Sequence, residues 1–214
     1  MADHRLFAAA YDRMMAPCEA HGLAERRRRL LANAWGRVLE IGAGTGTNLQ
    51  HYPAGDVASI VALEPDGAMR RRLERKVRQA PFPVEVIGRA VDDADLEDGS
   101  VDTVVTALVL CSVPDADRAA GAVRRWLRPD GRLLFLEHVH AAGLRGRVQH
   151  AVTPIWQRVA AGCHLDRDSV GALRRAGLVV TDLEHFTLPG GGLVFGNTVQ
   201  GVARRRSAAR EAVA

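Results

Sequence analysis

The residues best suited to chemistry begin at Glu40-Ile41-Gly42-Ala43-Gly44-Thr45-Gly46, where an acid stands two places before the first of three alternating glycines. Glycine removes each Cβ that would collide with a ligand lying against the backbone. A dinucleotide-binding turn has the spacing G-x-G-x-x-G and requires glycine at 47, but Thr47 stands there. What this chain carries is E-x-G-x-G-x-G. A turn with no ligand is a further option, although three alternating glycines weaken a fold that has nothing to bind. Glu64 lies eighteen residues past Gly46, at the end of a second apolar run. Its carboxylate there could accept hydrogen bonds from both hydroxyls of a ribose, or could serve only as a charge at the start of a helix.

Particular elements must position these groups. The run from Val38 to Ile41 is short and β-branched at both ends, as suits a central parallel strand. The glycine turn should lead into a helix whose first N–H groups face the ligand. Beyond it, strand patterns over 59–63, 84–87, 101–108 and 132–137 alternate with helical patterns from Asp66 to about Gln79 and from Asp115 to Leu127. Pro129-Asp130-Gly131 turns the chain into the fifth strand. Asp66 and Asp168 sit where helix caps belong. Two long strands follow, over 178–188 and 193–203, and the short Pro189-Gly190-Gly191-Gly192 link makes them an antiparallel hairpin. The expected fold class is α/β: a seven-stranded, mostly parallel sheet with a C-terminal antiparallel hairpin and helices on both faces.

Two more segments flank this core. Over 2–34, Leu6, Phe7, Ala10, Met14 and Met15 mark one helix that Pro17 ends, and Leu23, Leu30 and Leu31 line a second. Such a pair could be a lid across the mouth of a site or a packing layer at its edge. Over 144–161, Val148, Val152, Ile155 and Val159 share one stripe, and Pro154 should kink the helix.

Composition narrows the function classes. The chain has 214 residues, 47% hydrophobic and 25% charged, which suits one soluble domain with a full core. No apolar run reaches the ~20 residues of a membrane span. The first residues lack the pattern of a signal peptide, so the cytoplasm is the expected location. Three cysteines, Cys18, Cys111 and Cys163, without any C-x-x-C pair, suggest neither a disulfide framework nor a metal site. A net charge of +4 is modest, and Arg26-Arg27-Arg28-Arg29 reads as the solvated face of a helix, so no nucleic-acid partner is expected.

The E-x-G-x-G-x-G turn resembles the first motif of class I S-adenosylmethionine-dependent methyltransferases. Leu108-Val109-Leu110-Cys111-Ser112-Val113, Leu127-Arg128-Pro129 and Glu137-His138-Val139 are similar to blocks of the methyltransferase-like 7 family of alkyl-thiol methyltransferases. Pro154-Ile155-Trp156 and Gly162-Cys163-His164-Leu165 continue the likeness, which covers about 38–203. Quinone and menaquinone C-methyltransferases look like more distant relatives.

The resemblance implies a Rossmann-like fold with S-adenosyl-L-methionine as cofactor and S-adenosyl-L-homocysteine as product. It implies that Glu40 helps hold the aminoacyl portion, with Tyr11, Gly42, Ala43, Gly44, Gly46 and Asn48 around it. Glu64 and Pro65 would meet the ribose, and Leu108 would lie near the sulfonium. Many methyltransferases place an Asp against the adenine amine; this chain has Ala90, so backbone groups of Ala90 and Val91 are expected there. The family's hydrophobic N-terminal segment is not matched, so membrane association is not carried over and a more soluble thiol is expected. The implied division is one domain over 1–214, with a lid over 1–36, a cofactor-binding core over 37–140, a cap over 141–176 and a hairpin over 177–204.

Methyl transfer from a sulfonium is an in-line displacement, which an enzyme promotes mainly by alignment and exclusion of water. A thiol of pKa ~8.5 needs little activation, so a His or Tyr that hydrogen-bonds the sulfur suffices. The candidates are His138, His140 and Tyr11, then His150 and His164. Met14, Cys111, His138, Trp156, Cys163 and His164 are the candidate acceptor contacts, with Ile155 as a further wall. The leading function is S-methylation of a small, fairly apolar thiol, such as a reduced dithiol metabolite in detoxification or self-protection, by a monomer or homodimer. C- or O-methylation of a quinone, polyketide or lipid-like acceptor is the alternative, and a binding module that keeps the pocket without catalysis is a third.

Overall fold

The computed structural model describes residues 4–188, 192 and 196–205. Seven strands form one sheet in the order β3-β2-β1-β4-β5-β7-β6. Five of them, β1 (Gly36–Ile41), β2 (Val57–Leu63), β3 (Val84–Ile87), β4 (Val101–Ala107) and β5 (Leu127–His138), pair in parallel. β7 (Asn197–Arg205) lies antiparallel between β5 and β6 (Leu178–Thr187). The chain steps outward from β1 to β3 and then returns to place β4 on the other side of β1. That reversal opens a crevice at the carboxyl ends of β1 and β4. The expected mostly parallel sheet with an antiparallel pair at one edge is present. The link over 189–191 and the expected start of the last strand over 193–195 lie outside the described residues.

Strand alternation sorts the core onto two faces. Leu39, Ile41 and Phe135 pack with Val123 and Trp126 of α4 (Ala116–Trp126) and Leu173 of α6 (Ser169–Arg175). Val38, Ile60 and Leu136 pack with Leu30 and Leu31 of α2 (Ala24–Leu31) and Leu73 of α3 (Gly67–Val77). With helices on both faces, a central strand such as β1 reads as a continuous apolar run. Asp66 caps α3 by accepting the N–H groups of Ala68 and Met69 at 2.8 and 2.9 Å, and Asp168 caps α6 by accepting that of Gly171 at 2.8 Å.

Local features depart from the sequence expectations. The glycine turn feeds only a 3-10 turn, Leu49–His51, and no α-helix follows it. Tyr52 precedes Pro53 and is extended (φ −72°, ψ 139°), so the turn cannot lengthen. α1 (Arg5–Cys18) runs past Pro17, and the helical chain breaks at Gly22, where φ is 122°. β5 starts at Leu127, which pairs with Val101, while Arg132 pairs with Thr103; the Pro129-Asp130-Gly131 turn is a bulge inside the strand.

α5 (Gly143–Val159) continues through Pro154 with its expected apolar stripe split: Val148 is 40% and Ile155 67% exposed, while Val152 packs on the cluster of Cys111, Cys163 and Leu165. Its inward positions include Gln149 and Thr153. Gln149 answers the backbone beyond β5, accepting the Ala141 N–H at 2.7 Å and donating to the Val139 carbonyl at 3.4 Å. Buried main-chain groups need such partners, so a polar side chain takes the inner face. The Val159 side chain lies outside the described residues.

Candidate active site

A cavity of about 340 Å³ opens at the carboxyl ends of the parallel strands. One set of lining residues comes from the ends of β1 to β3: Gly42, Gly44, Glu64, Pro65, Ala90 and Val91. Another comes from the ends of β4 and β5, from α5 and from the segment after it, among them Val109, Val113, His138, Trp156 and Cys163. α1 adds Phe7, Tyr11 and Met14. Its start is tied to α3, since the His4 N–H donates to Asp66 at 2.8 Å, and buried Ala8 packs on Ala68 and Met69.

The three glycines have different reasons to be glycine. All have positive φ, at 65°, 58° and 78°. A Cβ on Gly42 would lie 2.2 Å from Val109 Cγ2, and one on Gly46 would lie 2.9 Å from Leu73 Cδ1, so the protein's own packing excludes both. Gly46 lines neither cavity. A Cβ on Gly44 would meet nothing closer than the Gly42 carbonyl oxygen at 4.0 Å. Gly44 is therefore the one that leaves room for a ligand. Beside it, the buried Glu64 carboxylate accepts the N–H groups of Gly44 at 2.7 Å and Asp66 at 2.8 Å. Burial pushes the Glu64 carboxyl up, and those two N–H groups oppose the shift. Each oxygen keeps a lone pair for a hydroxyl in the cavity. An open cradle, a buried acceptor and an apolar wall fit a nucleoside cofactor.

Below the turn lies a second cavity of about 20 Å³, lined by Tyr11, Arg27, Glu40, Ala43 and Asn48 among others. Glu40 accepts from Asn48 Nδ2 at 2.8 Å and the Tyr52 hydroxyl at 3.0 Å. Burial pushes Glu40 up to about 7, although Asn48, Tyr52 and Arg27 pull it down. Arg27 is only 4% exposed; it donates to Asn48 Oδ1 at 2.9 Å and to Glu19 at 3.0 Å. It is thus not part of a solvated face, and it was missed as a site residue. Helical spacing carries the signal, because 27 stands four after Leu23 and three before Leu30, on the buried side of α2.

At the far ends of β4 and β5, Cys163 Sγ lies 3.6 Å from Cys111 Sγ, and His138 Nδ1 is 4.0 Å from each sulfur. Cys111 is buried behind Cys163 and does not line the cavity. Cys163 is held well below the ordinary thiol value, first by its hydrogen bond with Cys111 and then, against the effect of burial, by His138 and Trp156. Cys111 is pushed up by the same contact and by burial, and so keeps its proton. His138 Nε2 is buried with no hydrogen-bond partner among the described residues. Burial also pushes the Tyr11 hydroxyl up, so it stays protonated and serves as a donor.

The other candidate residues lie elsewhere. His140 is exposed and does not line the cavity. His150 pairs with Asp166 at 2.7 Å on the surface, and His164 Nδ1 meets Gln157 Nε2 at 2.9 Å outside the cavity lining. Ile155 faces outward. Tyr11, Met14, Trp156 and Leu108 line the cavity. Sequence spacing did not reveal that Cys111, His138 and Cys163 converge, because they come from three separate elements.

A family model described as a methyltransferase domain matches residues 39–135. The chain is 33% identical to human thiol S-methyltransferase TMT1A over 180 residues, spanning 78% of this chain and 73% of that protein. It is 34% identical to human thiol S-methyltransferase TMT1B over 180 residues, spanning 81% and 73%. Its fold is similar to that of geranyl diphosphate C-methyltransferase from Streptomyces coelicolor, solved with S-adenosyl-L-homocysteine, with a TM-score of 0.66 at 15% identity over 87% of this chain and 79% of that one. No helix among the described residues is long and apolar enough to cross a membrane.

Proposed function

We propose, from the premise that this chain belongs to the S-adenosylmethionine-dependent methyltransferase family that includes thiol S-methyltransferases TMT1A and TMT1B, that it methylates the thiol of a small, fairly apolar molecule. One observation carries the acceptor assignment: the cavity that holds the glycine turn also takes in the largely apolar wall at the ends of β4 and β5, where His138 and Ser112 supply the polar groups.

S-Adenosylmethionine is the cofactor, and when bound it supplies a methyl group on a sulfonium sulfur. Glu64 accepts from the ribose hydroxyls, and the backbone of Ala90 and Val91 meets the adenine. Glu40, Asn48 and Arg27 back the turn on the aminoacyl side. Tyr11 donates a hydrogen bond from α1, which acts as a lid, while the segment over 141–176 caps the acceptor. Val109, Val113, Met14 and Trp156 exclude water, and a poorly hydrating wall does not favour a cation over its neutral product. His138 hydrogen-bonds the acceptor sulfur and favours its thiolate form. No covalent step on the protein is required, so the residues mainly orient the reactants. We assign the enzyme to the reducing cytoplasm, a reading that free, neighbouring thiols such as Cys111 and Cys163 support. It acts there as a monomer or homodimer, on a small molecule rather than nucleic acid.

A panel of small thiols, phenols and activated ring carbons, incubated with methyl-labelled cofactor, tests the assignment. Label is expected in apolar thiols. Transfer to phenols or ring carbons, with none to any thiol, overturns it in favour of the O- or C-methyl alternative.

A further inference from the structure

Cys111, His138 and Cys163 have a geometry that hydrogen bonding to an acceptor does not require. The sulfurs are 3.6 Å apart, and each is 4.0 Å from His138 Nδ1. A triangle with those sides has a centre about 2.2 Å from every corner, between the ~2.3 Å of a zinc–sulfur bond and the ~2.0 Å of a zinc–nitrogen bond. We propose that Cys111, Cys163 and His138 Nδ1 bind a zinc ion whose fourth coordination position opens to the cavity and takes the acceptor sulfur. That last role rests on the acceptor being a thiol, as proposed above, and with the ion bound His138 acts on the acceptor sulfur through the metal in place of the hydrogen bond; the ion site itself does not rest on that reading.

The backbone around the three ligands is held unusually firmly. Among the described residues, Leu108 (φ 61°) and Ala161 (φ 48°) are the non-glycine residues with positive φ. Both line the cavity, and they stand three and two residues before Cys111 and Cys163. Such strain survives where the surroundings over-determine the conformation, and it concentrates at functional sites. The Glu137 carboxylate accepts the N–H groups of Val109, Leu110 and Cys111 at 3.3, 3.1 and 3.4 Å. The His164 N–H donates to the Cys111 carbonyl at 2.8 Å, and the Cys163 N–H to that of Ala160 at 3.0 Å. Arg167 reaches across to the carbonyls of Leu110 and Val113. The two cysteine segments are thereby fixed to each other before any ligand arrives.

Charge and ligand type point the same way. Zinc displaces the proton that Cys111 keeps in the empty site, releasing it to solvent; two thiolates and one neutral imidazole then balance a dication, and the resulting neutral unit suits an apolar chamber. Sulfur and imidazole ligands select zinc over magnesium or calcium. Three protein ligands with one open position are the pattern of a reactive zinc site, whereas a structural site closes all four. On coordination the acceptor thiol loses its proton to solvent, and its sulfur keeps the electron pair. That pair then forms the new sulfur–carbon bond as the methyl–sulfonium bond breaks, leaving its electrons on the departing sulfur. The product is a neutral thioether, a far weaker zinc ligand than a thiolate, which frees the position for the next turnover.

Cobalt(II) titration of the full chain, stripped with chelator and kept reduced with a phosphine, tests the site. One equivalent is expected to bind, with a thiolate-to-cobalt charge-transfer band and tetrahedral visible bands that zinc bleaches. Cys111→Ser, Cys163→Ser and His138→Gln should each weaken binding at least about tenfold. Cys18→Ala, in α1 outside the cluster, should bind as the parent does. A thermal shift with S-adenosylhomocysteine shows for each variant that the cofactor half is folded. No charge-transfer band in the folded, reduced parent overturns the site, as does a band that survives loss of both cysteines. Full-rate thiol methylation by metal-free enzyme overturns the zinc while leaving the thiol acceptor standing. A bound ion in an enzyme that methylates no thiol overturns the acceptor and leaves the site.

Discussion

The two ends of the cavity are built in opposite ways. The cofactor end is made mostly of backbone. Gly42 to Gly46 follow directly from β1, and the one side chain that closes the turn, Glu64, ends the neighbouring strand and bonds the Gly44 N–H. The acceptor end is made of side chains brought from afar: Cys111 and Cys163 are 52 residues apart in sequence, yet their sulfurs lie 3.6 Å apart. A backbone-made site must be written in consecutive residues, because only a local run can set consecutive dihedrals. A side-chain-made site carries no such constraint and leaves no local pattern.

The strongest way to break this contrast is at the glycines. Gly42→Ala forces a Cβ to within 2.2 Å of Val109 in a left-handed backbone, and a loss of about 3–5 kcal/mol in urea unfolding is expected. Gly44→Ala has open space and should cost only the ~1–2 kcal/mol of the left-handed conformation, while losing cofactor affinity. Equal stability losses in the two variants would show that packing alone, rather than a ligand, explains the turn.

Next in size is Glu64→Ala, expected to weaken S-adenosylhomocysteine binding by about 1–3 kcal/mol in calorimetry through lost charge-assisted hydrogen bonds. Unchanged affinity would remove Glu64 from the ribose site. Smaller still is a pH effect. Glu40 and Glu137 are both raised to about 7 in the fold, chiefly by burial. Between about pH 4.5 and 7 the folded chain therefore holds protons that the unfolded chain has lost. The stabilisation from each is complete below the unfolded value and disappears as pH rises through about 7. Unfolding free energy of the cofactor-free protein should thus fall by about 1–3 kcal/mol for each of the two carboxyls between pH 5 and pH 8. Glu40→Gln should flatten part of that slope, because the Tyr52 hydroxyl can accept as well as donate and the amide stays paired. An unchanged slope would show that Glu40 stays ionised. The smallest effect is expected from Ile155→Ser. The residue is 67% exposed, so stability should move by no more than about 0.5 kcal/mol and the acceptor KM should not change. A large rise in KM would put the outer stripe of α5 back into the acceptor site.

Arg27 and α5 show why the rest was hard to read. The run Arg26 to Arg29 resembles a solvated face because charge usually seeks water. Its second member is buried all the same, held by Glu19 and Asn48. Its place on the same helical stripe as Leu23 and Leu30 was a usable sign. The apolar residues of α5 at 148 and 155 had the spacing of an inner face, yet the inner face went to Gln149 and Thr153. Hydrophobic periodicity finds a stripe; it does not say which polar main-chain groups the neighbouring elements will leave to be satisfied.

The amino-acid order by itself determined the alternating strands and helices, the glycine turn, the acid just after β2, the helix caps and the antiparallel pair at the sheet edge. Each of these rests on interactions between residues close in the chain, or on a repeat that any such sheet must bury. Tertiary structure alone decided that the turn stops after one 3-10 turn, that Arg27 stands behind Glu40, and that two cysteines and a histidine meet at one point. Those outcomes depend on how the ends of separate strands pack against each other. Distances of that kind are set by the whole core and by no single stretch of it.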